Sequence, residues 1–312
     1  METHLSGIYP RSEKLVAATR AAVRGDLDED QVERILNEDA QSLILLEKES
    51  SLDSFVDGQL NWQDLFRPFS EILDGIKATT LTRWFDNNTF YRKPIINGKV
   101  AFKGEGFQKY FRVDLLPAEG TKKAILPGPL TFALMSENKA YRSFSDLVDD
   151  IARALGDTVR KLQSLGYNQF QFDEPAILSR DRTKAELESA KKAYENCAPG
   201  TTLLQTYFGD ASPVIDTLLD FPVDAIGIDL YATQIDTLRG RDFNKTLGCG
   251  CVDGRNSLLE KPEDLKTIVL NVRNQLQPPD IYLTPNCAFE FLPRSVAEGK
   301  VRLLGETARL FE

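Results

Sequence analysis

Eight short β-rich runs, each ending in small or polar residues, constrain the fold of this chain more than any other feature. They are Thr3–Ile8, Ser54–Leu60, Lys123–Gly128, Gln169–Pro175, Thr202–Phe208, Ala225–Leu230, Lys245–Val252 and Asp280–Asn286. Between them lie stretches such as Ser12–Arg24, Phe144–Leu165, Thr183–Asn196, Ser212–Leu219 and Pro262–Leu276, whose apolar residues recur at helical spacing. Eight strands alternating with helices is the count of an α/β protein of the (β/α)8 TIM-barrel class. A doubly wound open sheet is the alternative and explains the count less well.

One barrel routinely takes ~250 or more residues, so residues 1–312 are expected to form a single barrel domain. Hydrophobic residues at 42% and charged residues at 27% support a sizeable core and exclude a disordered chain. Between the second and third runs, residues Trp84–Asp114 break the rhythm with β-formers around Asn97-Gly98, which predicts an inserted hairpin turning there. The segment Leu27–Glu49 exceeds one crossover and is expected to wrap the barrel or form an interface.

A formal charge of −9 argues against a nucleic-acid surface, which needs a basic stripe. No uncharged apolar run reaches the ~18 residues that span a bilayer, and the N-terminus has no signal core. The four cysteines, at 197, 249, 251 and 287, are too few and irregular for a secreted disulfide scaffold, so they read as thiols of a cytoplasmic protein.

In such a barrel, function gathers where strand C-termini meet their loops. Those ends carry Ser6, Tyr9, Asp57, Gln59, Asp173-Glu174, Gln205, Tyr207, Asp229, Cys251, Asp253 and Asn286-Cys287. The sharpest is Q-F-Q-F-D-E-P-A, residues 169–176. Strand side chains alternate, so one of its two carboxylates looks into the pocket, to hold an ammonium group or act as a base; capping the loop backbone is the other reading. Asp229 either contacts substrate or pairs with Arg255. Arg11 and Lys14 either hold an anionic tail or face solvent. Trp62 and Trp84 read as packing residues that can also stack a planar ligand, and His4 as a satisfied strand residue.

Taken in order, T-H-L-S-G-I-Y-P-R-S-E-K, R-W-F-D-N-N-T-F-Y, L-P-G-P-L-T-F, Q-F-D-E-P-A, L-L-Q-T-Y-F-G-D, A-I-G-I-D-L, G-C-V-D-G-R-N and T-P-N-C-A-F-E-F resemble the cobalamin-independent methionine synthases. Full-length members hold two barrels, and this chain resembles the N-terminal one, standing alone. The resemblance implies methyl transfer from a methyl-folate or methyl-corrinoid donor to homocysteine or a similar thiol, in methionine biosynthesis. It implies that Asp173 holds the substrate amine, that Ser6-Gly7 meets its carboxylate, and that Arg11 and Lys14 meet a polyglutamate tail. Gln59 stands where relatives carry a glutamate, and Tyr207 and Asp229 join the substrate contacts.

The family's zinc ligands are a His-x-Cys pair at the fifth strand, a Glu at the sixth and a Cys at the eighth. Here the fifth strand reads L-L-Q-T-Y-F, the sixth offers Asp229, and only Cys287 matches. Cys249 and Cys251, two apart on one strand, share a face, so a relocated zinc site of Cys249, Cys251 and Cys287 is one expectation. Inert core packing is the other. The missing His-x-Cys also motivates a rival to the enzyme reading: a non-catalytic subunit that binds substrate and pairs with a separate zinc-containing catalytic barrel or a corrinoid protein. A barrel of unrelated chemistry, such as a decarboxylase, is a third reading, because a fold does not fix a function.

Overall fold

Parallel strands buried on both faces cannot be joined by tight turns, and each needs a crossover that covers the sheet. The computed structural model, which describes residues 1–179, 182–197 and 200–312, meets that demand with eight parallel strands. They are β1 (Glu2–Thr3), β2 (Ser54–Phe55), β3 (Thr121–Pro127), β4 (Gln169–Asp173), β5 (Thr201–Gln205), β6 (Ala225–Asp229), β7 (Thr246–Val252) and β8 (Ile281–Pro285). The pairing runs β1-β8-β7-β6-β5-β4-β3-β2. Strands β4, β6 and β8 are buried at every position.

The first two strands are much shorter than Thr3–Ile8 and Ser54–Leu60 suggest. They meet without a ladder of their own. Asp53 closes the seam: its amide donates to the Thr3 carbonyl at 3.0 Å, and its carboxylate accepts from Thr3 N at 2.7 Å and Thr3 Oγ1 at 2.9 Å. Tyr9 N donates to the Gly58 carbonyl at 2.9 Å further along.

The helices follow from caps and stripes. Helix α1 (Glu13–Arg24) begins at Ser12, whose hydroxyl accepts from Leu15 N, and ends at Gly25 in the left-handed region. The segment 27–49 resolves into one long helix, α2 (Glu29–Glu49), opened by a capping box of Asp28 and Gln31. Helix α3 (Pro129–Leu134) follows β3 at once. Helix α4 (Phe144–Ser164) buries Leu147, Ile151, Leu155, Val159 and Leu162 in one stripe. It meets α5 (Lys184–Cys197) so closely that a Cβ on Gly156 would stand 2.2 Å from the Asn196 carbonyl. The remaining layer is α6 (Ile215–Leu219), α7 (Pro262–Leu276) and α8 (Arg294–Arg309). Helix α6 is shorter than the predicted 212–219.

The hairpin is not where Asn97-Gly98 points. Its arms are Leu73–Arg83 and Phe90–Phe102, antiparallel, with the reversal at 84–89, where Trp84 N donates to the Thr89 carbonyl at 2.9 Å. Asn97-Gly98 lies instead in an irregular stretch of the second arm, since Asp74 pairs with Ala101 but Ile76 with Ile96. Gly75, with φ +76, faces that stretch, and a Cβ there would stand 2.4 Å from the Lys99 carbonyl. Turn residues in the middle of a long arm made a bulge rather than a reversal. Among the described residues no helix is long and apolar enough to cross a membrane.

Candidate functional site

Alternation along β4 decides between its two terminal carboxylates. Asp173 turns into the barrel, where Gln171 Nε2 donates to its Oδ1 at 2.6 Å and the Tyr207 hydroxyl to its Oδ2 at 3.4 Å. Glu174 turns outward and caps α3, accepting from Leu130 N at 2.9 Å, Thr131 N at 2.7 Å and the Tyr194 hydroxyl at 3.2 Å. The inward and capping placements of D-E-P-A both occur, one for each acid. Gly128 is required beside this cap, because a Cβ there would stand 2.1 Å from Glu174 Cγ and Cδ.

Asp173 lines a cavity at the barrel mouth together with Asp64, Trp84, Tyr91, Tyr207 and Glu290. Only ≈ 20 Å³ is open inside, room for about one water. The hairpin tip forms the lid: Trp84 stacks edge-on with Phe66 and Tyr91, and Phe85 with Phe208. Burial pushes the Asp173 carboxyl up to about 6, against the opposing pull of Gln171, Lys123 and Tyr207. Burial, and then the charges of Asp64 and Asp173, push Glu290 up to about 8. Burial also raises Asp64, although Arg92 N, Phe66 N and Arg67 N donate to it. Three carboxylates in a wall of rings are arranged for a cationic group.

The remaining predicted residues lie outside the lining of this cavity. Ser6 is buried and donates to Gln171 Oε1 at 3.4 Å, while Gly7, with φ +73, lies against Ala288. Gln59 donates to the Ile125 carbonyl at 3.1 Å and its Oε1 has no partner. Asp229 accepts from Asn286 Nδ2 at 3.1 Å, and its second oxygen lies 3.6 Å from Arg255, whose guanidinium rides over Phe208. Lys14 pairs with Glu38 at the surface, and Arg11 is half-buried beside Asp39 and Arg20, with burial lowering its pKa. Trp62 is a packing residue that donates to the Tyr110 carbonyl. His4 is buried, its Nδ1 2.7 Å from Lys123 Nζ.

The three candidate thiols are not brought together. Gln205 reaches across the interior to the Asn286 carbonyl, and a Cβ on Gly227 would strike the Gln205 amide, so Gly227 faces inward. Gly248 pairs beside Gly227, and Gly250 beside the inward Asp229. Cys249 and Cys251 therefore face the helix layer, near Arg273 and Glu260. Burial pushes Cys251 up to about 12. Cys287 sits at the mouth between Asp229 and Glu290, and burial raises it as well. Among the described residues no group of three or more His, Cys, Asp or Glu is arranged to hold a metal ion. The relocated zinc site does not fit this barrel, because the i, i+2 face that the two cysteines share is its exterior.

Asp64, Glu290 and Lys123 went unread in the sequence. Lys123 had a signal, a lysine heading an apolar run; Asp64 lies on a loop with none, and Glu290 falls within T-P-N-C-A-F-E-F, where nothing singled it out.

A sequence model of the family described as "Cobalamin-independent synthase, N-terminal domain" matches residues 69–277. The methionine synthase of Saccharolobus solfataricus is 24% identical over 308 residues, covering 96% of this chain and 92% of its own. That of Sulfurisphaera tokodaii is 25% identical over 306 residues, covering 96% and 89%. Among solved structures, a B12-independent methionine synthase from Shewanella sp. W3-18-1 in complex with selenomethionine matches with a TM-score of 0.81 at 17% identity, over 99% of this chain and 97% of that one. A putative vitamin-B12 independent methionine synthase from Listeria monocytogenes gives 0.81 at 16%, over 100% and 98%. At these identities the structural matches establish a shared fold.

Proposed function

The chain belongs to the cobalamin-independent synthase family, through the model of that family's N-terminal domain, and from this premise we propose that it moves a methyl group to homocysteine or a similar amino-acid thiol. The observation that carries the reading is Asp173, a carboxylate at a barrel strand's C-terminal end in a cavity walled by acids and rings. Asp173 accepts from the substrate ammonium, with Asp64 adding negative charge. Gln59, whose Oε1 is unpartnered, accepts from the same group without a charge. The weak 3.4 Å bond of Ser6 leaves its hydroxyl ready to turn to the carboxylate. Arg11 is the remaining candidate for an anionic donor tail, since Lys14 is engaged by Glu38.

In the transfer the thiol loses its proton, a sulfur lone pair forms the S–CH3 bond, and the donor keeps the electrons of the bond that breaks. Glu290, titrating near 8, lies close to the ~8.5 of a free thiol and is suited to take that proton. The raised Cys287 remains a thiol at neutral pH and does not compete as a nucleophile.

A second reading is favoured by the outward Cys249 and Cys251 and the absent His-x-Cys: an acceptor-binding subunit that completes a separately encoded zinc barrel. One experiment separates them. The purified chain is assayed for methionine formation from homocysteine with methyl-tetrahydrofolate and with methylcobalamin, and methionine binding is followed by calorimetry. Turnover by the chain alone supports the enzyme. Binding without turnover supports the subunit, and neither binding nor turnover refutes both.

A further inference from the structure

Below the mouth, the barrel interior holds a second charged group that the proposed reaction does not use. Lys123, the third residue of β3, lies inside the barrel and is 2% exposed. Its ammonium has two hydrogen-bond partners, both uncharged: His4 Nδ1 at 2.7 Å and the Leu5 carbonyl at 2.9 Å. Among the described residues it makes no ion pair. A buried cation without a counter-charge is costly, so the charges facing it decide its state.

Those charges are few. His4 is held neutral by burial and by Lys123 itself, and Tyr282 packs edge-on against its ring. From α2, Glu47 accepts only from Val56 N and leaves its other oxygen unpartnered; burial drives its pKa well up, and like Asp173 it favours the charged form of Lys123. The hydrogen-bonded route from the ammonium leads to Asp173. Strands β3 and β4 run in register, Lys123 beside Gln169 and Pro127 beside Asp173, so the two residues share the inward face four positions apart. A polar path joins them: Lys123 holds the Leu5 carbonyl, the next residue Ser6 donates to Gln171, and Gln171 donates to Asp173. Of the other titratable groups near Asp173, Tyr207 donates to it and favours the ionised form without carrying charge, and Glu290 brings no positive charge, so Lys123 is the cation that acts on it.

We propose that Lys123 is the positioning residue for Asp173: its buried ammonium keeps that carboxylate ionised and, through Leu5, Ser6 and Gln171, fixes its direction. The inference rests on the amine-binding role proposed for Asp173, since only the ionised acid pairs with an ammonium. Burial lowers Lys123 itself to about 7, opposed by Asp173 and Glu47, so the two groups change charge within a narrow pH range.

The test needs no ligand. Asp173 is followed by carbon NMR of labelled aspartate, assigned with Asp173→Asn, in the wild type, Lys123→Gln and Lys123→Arg. Glutamine keeps a donor for the Leu5 carbonyl and removes the charge. The Asp173 midpoint is expected to rise by about one pH unit in Lys123→Gln, as loss of a nearby opposite charge requires, and to hold in Lys123→Arg. If Lys123→Gln does not fold, the reciprocal measurement serves: Asp173→Asn lowers the midpoint at which a labelled Lys123 loses its proton, by linkage. An unmoved Asp173 midpoint in Lys123→Gln, or an unmoved Lys123 midpoint in Asp173→Asn, overturns the proposal. Methionine calorimetry on the same proteins gives the functional counterpart, with half-maximal affinity moving up by the same interval. A wild type that binds no methionine would refute the assigned function while leaving the charge coupling to stand or fall on the NMR.

Discussion

The division of labour between Asp173 and Glu174 makes a sharp demand on Gly128. Its backbone, at φ −72 and ψ 151, suits any residue, so a substitution there is penalised by contact alone. An alanine methyl would stand 2.1 Å from Glu174 Cγ and Cδ, inside the contact distance of two carbons, and such overpacking costs about 1–3 kcal/mol. Glu174→Ala strips three buried donors, Leu130 N, Thr131 N and the Tyr194 hydroxyl, of their acceptor. At ~1–3 kcal/mol each, offset by removing a carboxyl whose pKa burial has pushed up to about 7, the net loss is about 3 kcal/mol. In the double variant the new methyl enters the space that the carboxyl vacated. The coupling should be about 2 kcal/mol, favourable in sign. Urea unfolding of the four proteins at pH 8, followed by circular dichroism, measures it. Strictly additive losses would refute the placement of Glu174 against Gly128.

Glu290→Gln should change how stability depends on pH. The native carboxyl holds its proton to about 8 while the unfolded one releases it near 4.5, so wild-type stability falls across that interval and levels off above it. The variant should match the wild type at pH 4 and exceed it at pH 8.5 in thermal unfolding; equal margins at both would contradict the buried setting of Glu290. Cys251→Ser should leave the metal content of the purified chain, whatever that is, unchanged by elemental analysis, since its thiol faces the helices. A proportional loss of zinc would contradict that orientation. Because Trp84 lines a cavity too small for an amino acid, methionine should displace the hairpin tip and alter Trp84 emission in a Trp62→Phe background. Binding seen by calorimetry with no spectral change would place the ligand elsewhere.

The barrel was legible because its signal repeats: β4, β6 and β8 are short buried runs bounded by turn residues, and burial on both faces leaves few other homes for them. The first two strands were overcounted, since Leu5–Ile8 and Val56–Leu60 have strand composition but spend their backbone on the mouth. The hairpin was displaced because Asn97-Gly98 and D-N-N-T at 86–89 are both turn-like, and only pairing across the arms tells them apart. Asp173 could be read from its strand end. Facing could not be read for Cys249 and Cys251, because the alternation that aligned them is silent about which side is inside; the glycines between and before them, packed beside Gly227 and Asp229, decide it. Lys123 was hidden for another reason: a charge near the start of a strand does not by itself show in the sequence that it folds into the core.

A sheet of eight strands has two edges until something seals them, and here one aspartate does most of the sealing. Asp53 supplies side-chain acceptors where a ladder would otherwise run, so β1 and β2 stay joined although each is only two residues long. Replacing it by alanine would leave Thr3 N and Oγ1 searching for partners along an unzipped seam, and the nearest supply of matching strand edge is another molecule. The consequence is one of colloidal behaviour: the variant should show rising light scattering with protein concentration at temperatures where its circular dichroism is still native.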